Sequence, residues 1–196
     1  MILGWLGIVI FIIIGVTFRK LILKNEFALL HLLMALMYGM WLPLPIALYE
    51  LLDTQLLQNG MIFGFVYLLM IVMTMALQTG HIAYVVKQNN DEAVSDQHAN
   101  NIMATLSFPF EGIANVFKSL WALCLSITFW VSGENGMGII MSAYSLLTFY
   151  YLINVLNACL VKEIKLFSNI KPNPIVTNIE TFLFFLVLMI YISFNQ

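Results

Sequence analysis

Six stretches of this chain are each apolar over close to the length that a helix needs to cross a bilayer, and only short connectors separate most of them. A transmembrane helix takes about 20 predominantly apolar residues. The stretches lie near 2–18, 27–49, 61–86, 110–131, 137–160 and 178–194. Turn signals punctuate them at Asn59-Gly60, at Ser132-Gly133-Glu134-Asn135-Gly136 and at Lys171-Pro172-Asn173-Pro174. The expected fold is all-α, a polytopic integral membrane helical bundle of about six transmembrane helices forming one membrane domain over residues 1–196. Composition closes off the soluble alternative. With 62% hydrophobic and 9% charged residues, against about 45–50% and about 25% in soluble domains, a water-soluble fold has nowhere to place the apolar surface.

The cations set an orientation, because Lys and Arg near helix ends are retained on the cytoplasmic side. Arg19, Lys20 and Lys24 follow span one, Lys87 follows span three, Lys118 falls early in span four, and Lys162, Lys165 and Lys171 follow span five. All eight are assigned to one side. Glu50, Asp53 and Glu134 occupy the opposite loops. The N-terminus and C-terminus are then expected outside, in a multi-pass protein of the cell membrane. The first span has no cation before its apolar core and no small-residue cleavage site, so it is expected to be a retained helix and not a signal peptide. The segment 87–101, KQNNDEAVSDQHANN, is the one extended hydrophilic piece, a cytoplasmic loop with some helical character. Residues 102–108 are expected along the membrane interface, with Pro109 in the first turn of span four.

Several function classes drop out. A net charge of −2 from scattered residues gives no basic stripe for nucleic acid. CxxC, HExxH, Walker and GxSxG motifs are absent from the sequence. Cys124 and Cys159 fall at different depths and suit apolar filling better than a bridge. Three spans entering from outside followed by three from inside would allow an inverted repeat, as in many secondary transporters. The halves share no motif, however, and Pro43 and Pro45 of span two have no counterpart in span five.

Polar residues inside spans are costly, so each needs a partner, a cavity or an interface. On span three, Tyr67, Thr74, Gln78 and His81 share one helix face. His31, Tyr38 and Pro45 do so on span two; Glu111, Asn115 and Lys118 on span four; Tyr150, Asn154 and Asn157 on span five. By depth, the candidate set His31, Tyr38, Thr74, Gln78, His81, Glu111, Asn115, Lys118, Asn154 and Asn157 outlines a polar pocket open to the cytoplasm. The outer half is expected to be drier and lined by Tyr, Ser, Thr and Pro. Each residue also has an ordinary structural role: histidines at the interface, a snorkelling Lys118, asparagines bonding across helices. Glu180 follows the T-x-x-E pattern of Thr177-Asn178-Ile179-Glu180, a capping box at a helix start. The P-x-P pair of Pro43 and Pro45 should kink or break span two.

Three readings of function compete. Transport or channelling of an ion or small solute leads. A membrane-embedded enzyme or redox protein is the second, with His31 and His81 at matched depth as ligands for a haem or metal, or His81 as a general base beside Glu111 on a lipid. The third is a non-catalytic subunit or regulator. Little mass for an internal cavity makes a homo-oligomer or a partner membrane subunit an expectation beside the lipid bilayer itself.

Overall fold

A computed structural model describes residues 1–88, 101, 108–160 and 173–195. Among them every regular element is helical: α1 (Ile2–Leu23), α2 (Phe27–Trp41), α3 (Leu44–Leu52), α4 (Gln55–Gln88), α5 (Phe108–Val131), α6 (Asn135–Cys159) and α7 (Pro174–Asn195). With α2 and α3 counted as one broken span, six spans are long and apolar enough to cross a membrane. Most of the loop expected at 87–101, the interfacial stretch at 102–108 up to Phe108, and the cations Lys162, Lys165 and Lys171 lie outside the described residues.

Span boundaries shift for identifiable reasons. α1 runs five residues past the expected end at 18, because Arg19 and Lys20 are good helix formers. It stops where Asn25 enters the left-handed region at φ 55° and the Glu26 N–H reaches back to the Leu21 carbonyl at 2.9 Å, a helix-ending arrangement that asparagine tolerates. Span two breaks as the prolines require: α2 ends at Trp41, and α3 restarts with Pro45 in its first turn. The next turn is not at Asn59-Gly60. Asp53 takes φ 40° at the end of α3, the Thr54 hydroxyl accepts the Leu57 N–H at 3.3 Å, and Asn59 and Gly60 lie inside α4. A capping threonine after a left-handed residue is the stronger stop.

Gly60 and Gly64 serve packing instead, spaced as small residues at close membrane-helix crossings are. A Cβ on Gly60 would lie 2.8 Å from the Cys124 Cβ, and one on Gly64 would lie 2.7 Å from the Trp121 ring. α4 and α5 therefore touch backbone to side chain. With 34 residues, α4 is about 51 Å long at 1.5 Å per residue and extends past a hydrocarbon core of about 30 Å.

α7 sits where the other spans converge, held by large aromatic side chains. Phe182 stacks on Phe11 of α1 at 4.5 Å, Phe185 stacks on Trp41 of α2 at 4.0 Å and lies 6.2 Å from Tyr67 of α4, and Phe184 meets Trp121 of α5 at 5.4 Å and Tyr144 of α6 at 5.1 Å. Phe184, Phe185, Leu188 and Met189 are fully buried.

Candidate functional site

Lys118 is the eleventh of the 24 residues of α5, nine residues past Pro109, or about 14 Å along the axis. It is too deep to snorkel, and it does not: only 1% of it is exposed. Its ammonium pairs with Glu180 Oε2 of α7 and donates to the Thr181 hydroxyl at 2.7 Å. Two ring faces enclose it further, with centroids 5.6 Å away for Tyr67 and 5.4 Å for Tyr151, within reach of a cation–π attraction. The Tyr151 hydroxyl donates to the same Glu180 oxygen at 3.0 Å. Tyr67 also interacts with Thr181 through its side chain, and Tyr38 packs edge-on against Tyr67 with ring centroids 6.3 Å apart. Helices α2, α4, α5, α6 and α7 each contribute to this one buried network.

Two expectations fall here. Lys118 is a buried ion-pair partner and not an interfacial cation, so it drops out of the charge bias that orients the chain. Glu180 is not a capping-box residue, because α7 begins at Pro174. Asn173 caps that start, its Oδ1 accepting the N–H groups of Ile175 at 3.1 Å and Val176 at 3.3 Å, and proline is well placed as the first helical residue. Thr177 to Glu180 are then interior, and the glutamate is free to pair across the bundle.

On the helix side leading toward Glu111, the polar stripes meet in part. Gln78 of α4 donates from Nε2 to Glu111 Oε1 of α5 at 3.2 Å, so those two predicted residues are brought together. Asn115 lies between Glu111 and Lys118 on α5 and donates to the Glu111 carbonyl at 2.8 Å; its Oδ1 is buried with no partner among the described residues. Others bond within their own helices. Thr74 bonds back to the Met70 carbonyl at 2.8 Å, Asn154 donates to the Tyr150 carbonyl at 3.0 Å, and Asn157 is half-buried one turn further along α6. His31 Nδ1 is 2.7 Å from the Phe27 carbonyl of its own helix, which makes Nδ1 the donor and leaves Nε2 as the atom able to ligate. His81 Nε2 is buried without a partner among the described residues. No group of three or more His, Cys, Asp or Glu that could hold a metal ion forms among the described residues.

On the opposite side of the ion pair an aromatic layer closes the bundle. Trp121 lies one turn beyond Lys118, Phe184 one turn beyond Glu180, and Trp41 one turn beyond Tyr38; with Phe185 and Tyr144 they pack at centroid distances of 4.0–6.3 Å. Past that layer come hydroxyls: Ser126 and Ser142 at 2.6 Å, and Thr54 and Thr128 at 3.2 Å. An open apolar groove of about 490 Å³ lies elsewhere, between Met1–Gly4 and Met40, Pro43, Leu44 and Ala47.

Sequence reasoning found the Glu111–Asn115–Lys118 face and passed over Glu180, Thr181 and Tyr151. The available signal was charge: a lysine and a glutamate, each inside a span, can satisfy one another. Fold and site together define the class, a multi-pass integral membrane protein of six spans with an ion pair buried in its bundle. No protein-family model, curated protein or solved structure matches the chain.

Proposed function

We propose that the chain is a carrier in the cell membrane that moves an ion or a small polar solute through the bundle, with Lys118 and Glu180 at its crossing point. The observation that carries this reading is the enclosure of the Lys118 ammonium near mid-helix by a carboxylate and a hydroxyl from α7 and two tyrosine faces. Stability does not account for such a pair. Desolvating two charges offsets most of their attraction, and apolar residues of similar volume commonly serve a core as well. Ionisable groups inside a bundle instead mark ion and substrate pathways.

The surroundings fit a gated route. With the cation-rich ends in the cytoplasm, Glu111, Gln78, Asn115 and His81 form the approach from that side, and Trp41, Trp121, Phe184 and Phe185 bar the other. The α2–α3 break places a discontinuous helix beside the bar, a common construction around transporter sites. α1 and α6 keep most of their surface outside the bundle, which leaves room for lipid, a second copy or a membrane partner.

Reconstitution tests it. Liposomes carrying the protein should pass at least one of potassium, sodium, chloride, nitrate, protons or a mixture of amino acids faster than empty ones, and Lys118→Gln should abolish the difference. Equal rates across that panel would return the protein to the non-catalytic reading, and a flux indifferent to Lys118→Gln would remove the ion pair from the pathway.

A further inference from the structure

The donors around Glu180 are distributed unevenly. Lys118 Nζ, the Tyr151 hydroxyl at 3.0 Å and the Thr181 hydroxyl at 3.3 Å all direct themselves at Oε2. Oε1 is buried and accepts nothing among the described residues. A carboxylate has about four lone-pair sites over its two oxygens, and a purely structural pair would be expected to use both. An ammonium, a phenol and a hydroxyl converging on one point are the donor set that holds an anionic oxygen.

We infer that Lys118, Tyr151 and Thr181 form a binding site for a small monovalent anion, held in this structure by the chain's own Glu180 carboxylate and vacated when Glu180 is protonated. The inference rests on the carrier reading for its purpose and on the geometry alone for its chemistry. The charges balance. With Glu180 ionised, the pair is neutral. A proton taken from water onto Oε1 neutralises the carboxylate, leaves its covalent bonds intact and gives the site a charge of +1. One monovalent anion on Lys118 returns it to zero, so the loaded site carries one proton and one anion and, like the resting pair, is neutral in the bundle interior, where an unpaired ion is most costly. The Tyr67 and Tyr151 rings and the Thr181 hydroxyl hold the ammonium between occupants.

Among the described residues, the titratable groups facing Glu180 are Lys118 from α5, Tyr67 from α4, Tyr38 from α2, and Tyr144 and Tyr151 from α6. Glu180 is the only carboxylate in that set, and Glu111 interacts with one of its members, Tyr38. A pH dependence of anion binding that Glu180→Gln removes is therefore the one assigned to Glu180.

The test is thermal unfolding of the intact protein in lipid nanodiscs, titrated with chloride, nitrate and formate, at about pH 4 and about pH 8, a span that covers ordinary carboxylates and histidines alike, so that Glu180→Gln separates Glu180 from His31 and His81. The wild type should gain stability with one of these anions at acid pH and not at alkaline pH. Glu180→Gln, neutral at both, should gain it at both; Lys118→Gln should gain it at neither. Tyr151→Phe should weaken the acid response about tenfold, as the loss of one hydrogen bond to a charged group does. A wild type that responds equally at both pH values, or not at all, overturns the inference, as does a folded Glu180→Gln without an anion response. If Glu180→Gln does not fold, the wild-type pH pair and Tyr151→Phe still decide. Anion binding without flux in liposomes would keep this site and remove the carrier; flux without an anion response would do the reverse.

Discussion

Trp41 stacks on Phe185 with ring centroids 4.0 Å apart and 13° between the planes, while its indole N–H donates to the Gly4 carbonyl at 3.1 Å. One side chain thus joins α1, the end of α2 and α7. Gly7 permits this, because a Cβ there would run into the indole.

Trp41→Ala should therefore lose about 3–5 kcal/mol of stability, the usual cost of removing a fully buried tryptophan, and should let protons leak past the aromatic layer. Trp41→Phe keeps the stack and loses only the hydrogen bond, at about 1 kcal/mol. Unfolding in mixed micelles compares the two. Equal stability of Trp41→Ala and Trp41→Phe would contradict the three-helix joint.

The glycines of α4 give an internal control. A Cβ on Gly64 would meet the Trp121 ring at 2.7 Å and Pro45 at 3.0 Å, whereas one on Gly80 meets nothing within 4 Å. Gly64→Ala should destabilise by about 1–3 kcal/mol through overpacking. Gly80→Ala should be neutral or stabilise by up to about 1 kcal/mol through helix propensity. The reverse order in a melting experiment would show that α4 and α5 do not touch at Gly64.

Span number, the broken second span and the Ser132–Gly136 turn were legible because each follows from local chemistry: apolar length, proline geometry and Gly133 at φ 80°. The face shared by Glu111, Asn115 and Lys118 was legible too, since helical periodicity fixes it. What joins that face to α7 was not. Glu180 spells a capping box with Thr177, and only the stronger signal four residues earlier, Asn173 before Pro174, reveals that the helix has already begun. Lys118 passed for a snorkelling residue because periodicity reports direction around a helix and not what fills the space it faces. Asn59-Gly60 looked like a turn for the same reason: glycine for close packing and glycine for a bend are one letter.

The start of α7 is itself testable. Asn173→Ala should cost about 1 kcal/mol, as lost N-caps do, and should speed hydrogen exchange at the amides of Ile175 and Val176. If exchange rises instead at residues 179 and 180, the helix begins at Thr177 and Glu180 returns to a capping role.

The ion pair allows stability and function to be separated. Lys118→Met leaves Glu180 buried without its cation, and Glu180→Leu leaves Lys118 with only Thr181 and the two rings; breaking a buried pair from one side typically costs about 3–5 kcal/mol. Removing both charges leaves neither ion exposed to that penalty, and the double variant should recover to within about 1 kcal/mol of the wild type. A pair kept for stability would leave the double variant well below the wild type, even though the losses of two residues in contact do not add. The double variant should nevertheless pass no solute in liposomes, since the crossing point has become apolar. A double variant that folds like the wild type and still carries solute at the wild-type rate would place the pathway elsewhere in the bundle.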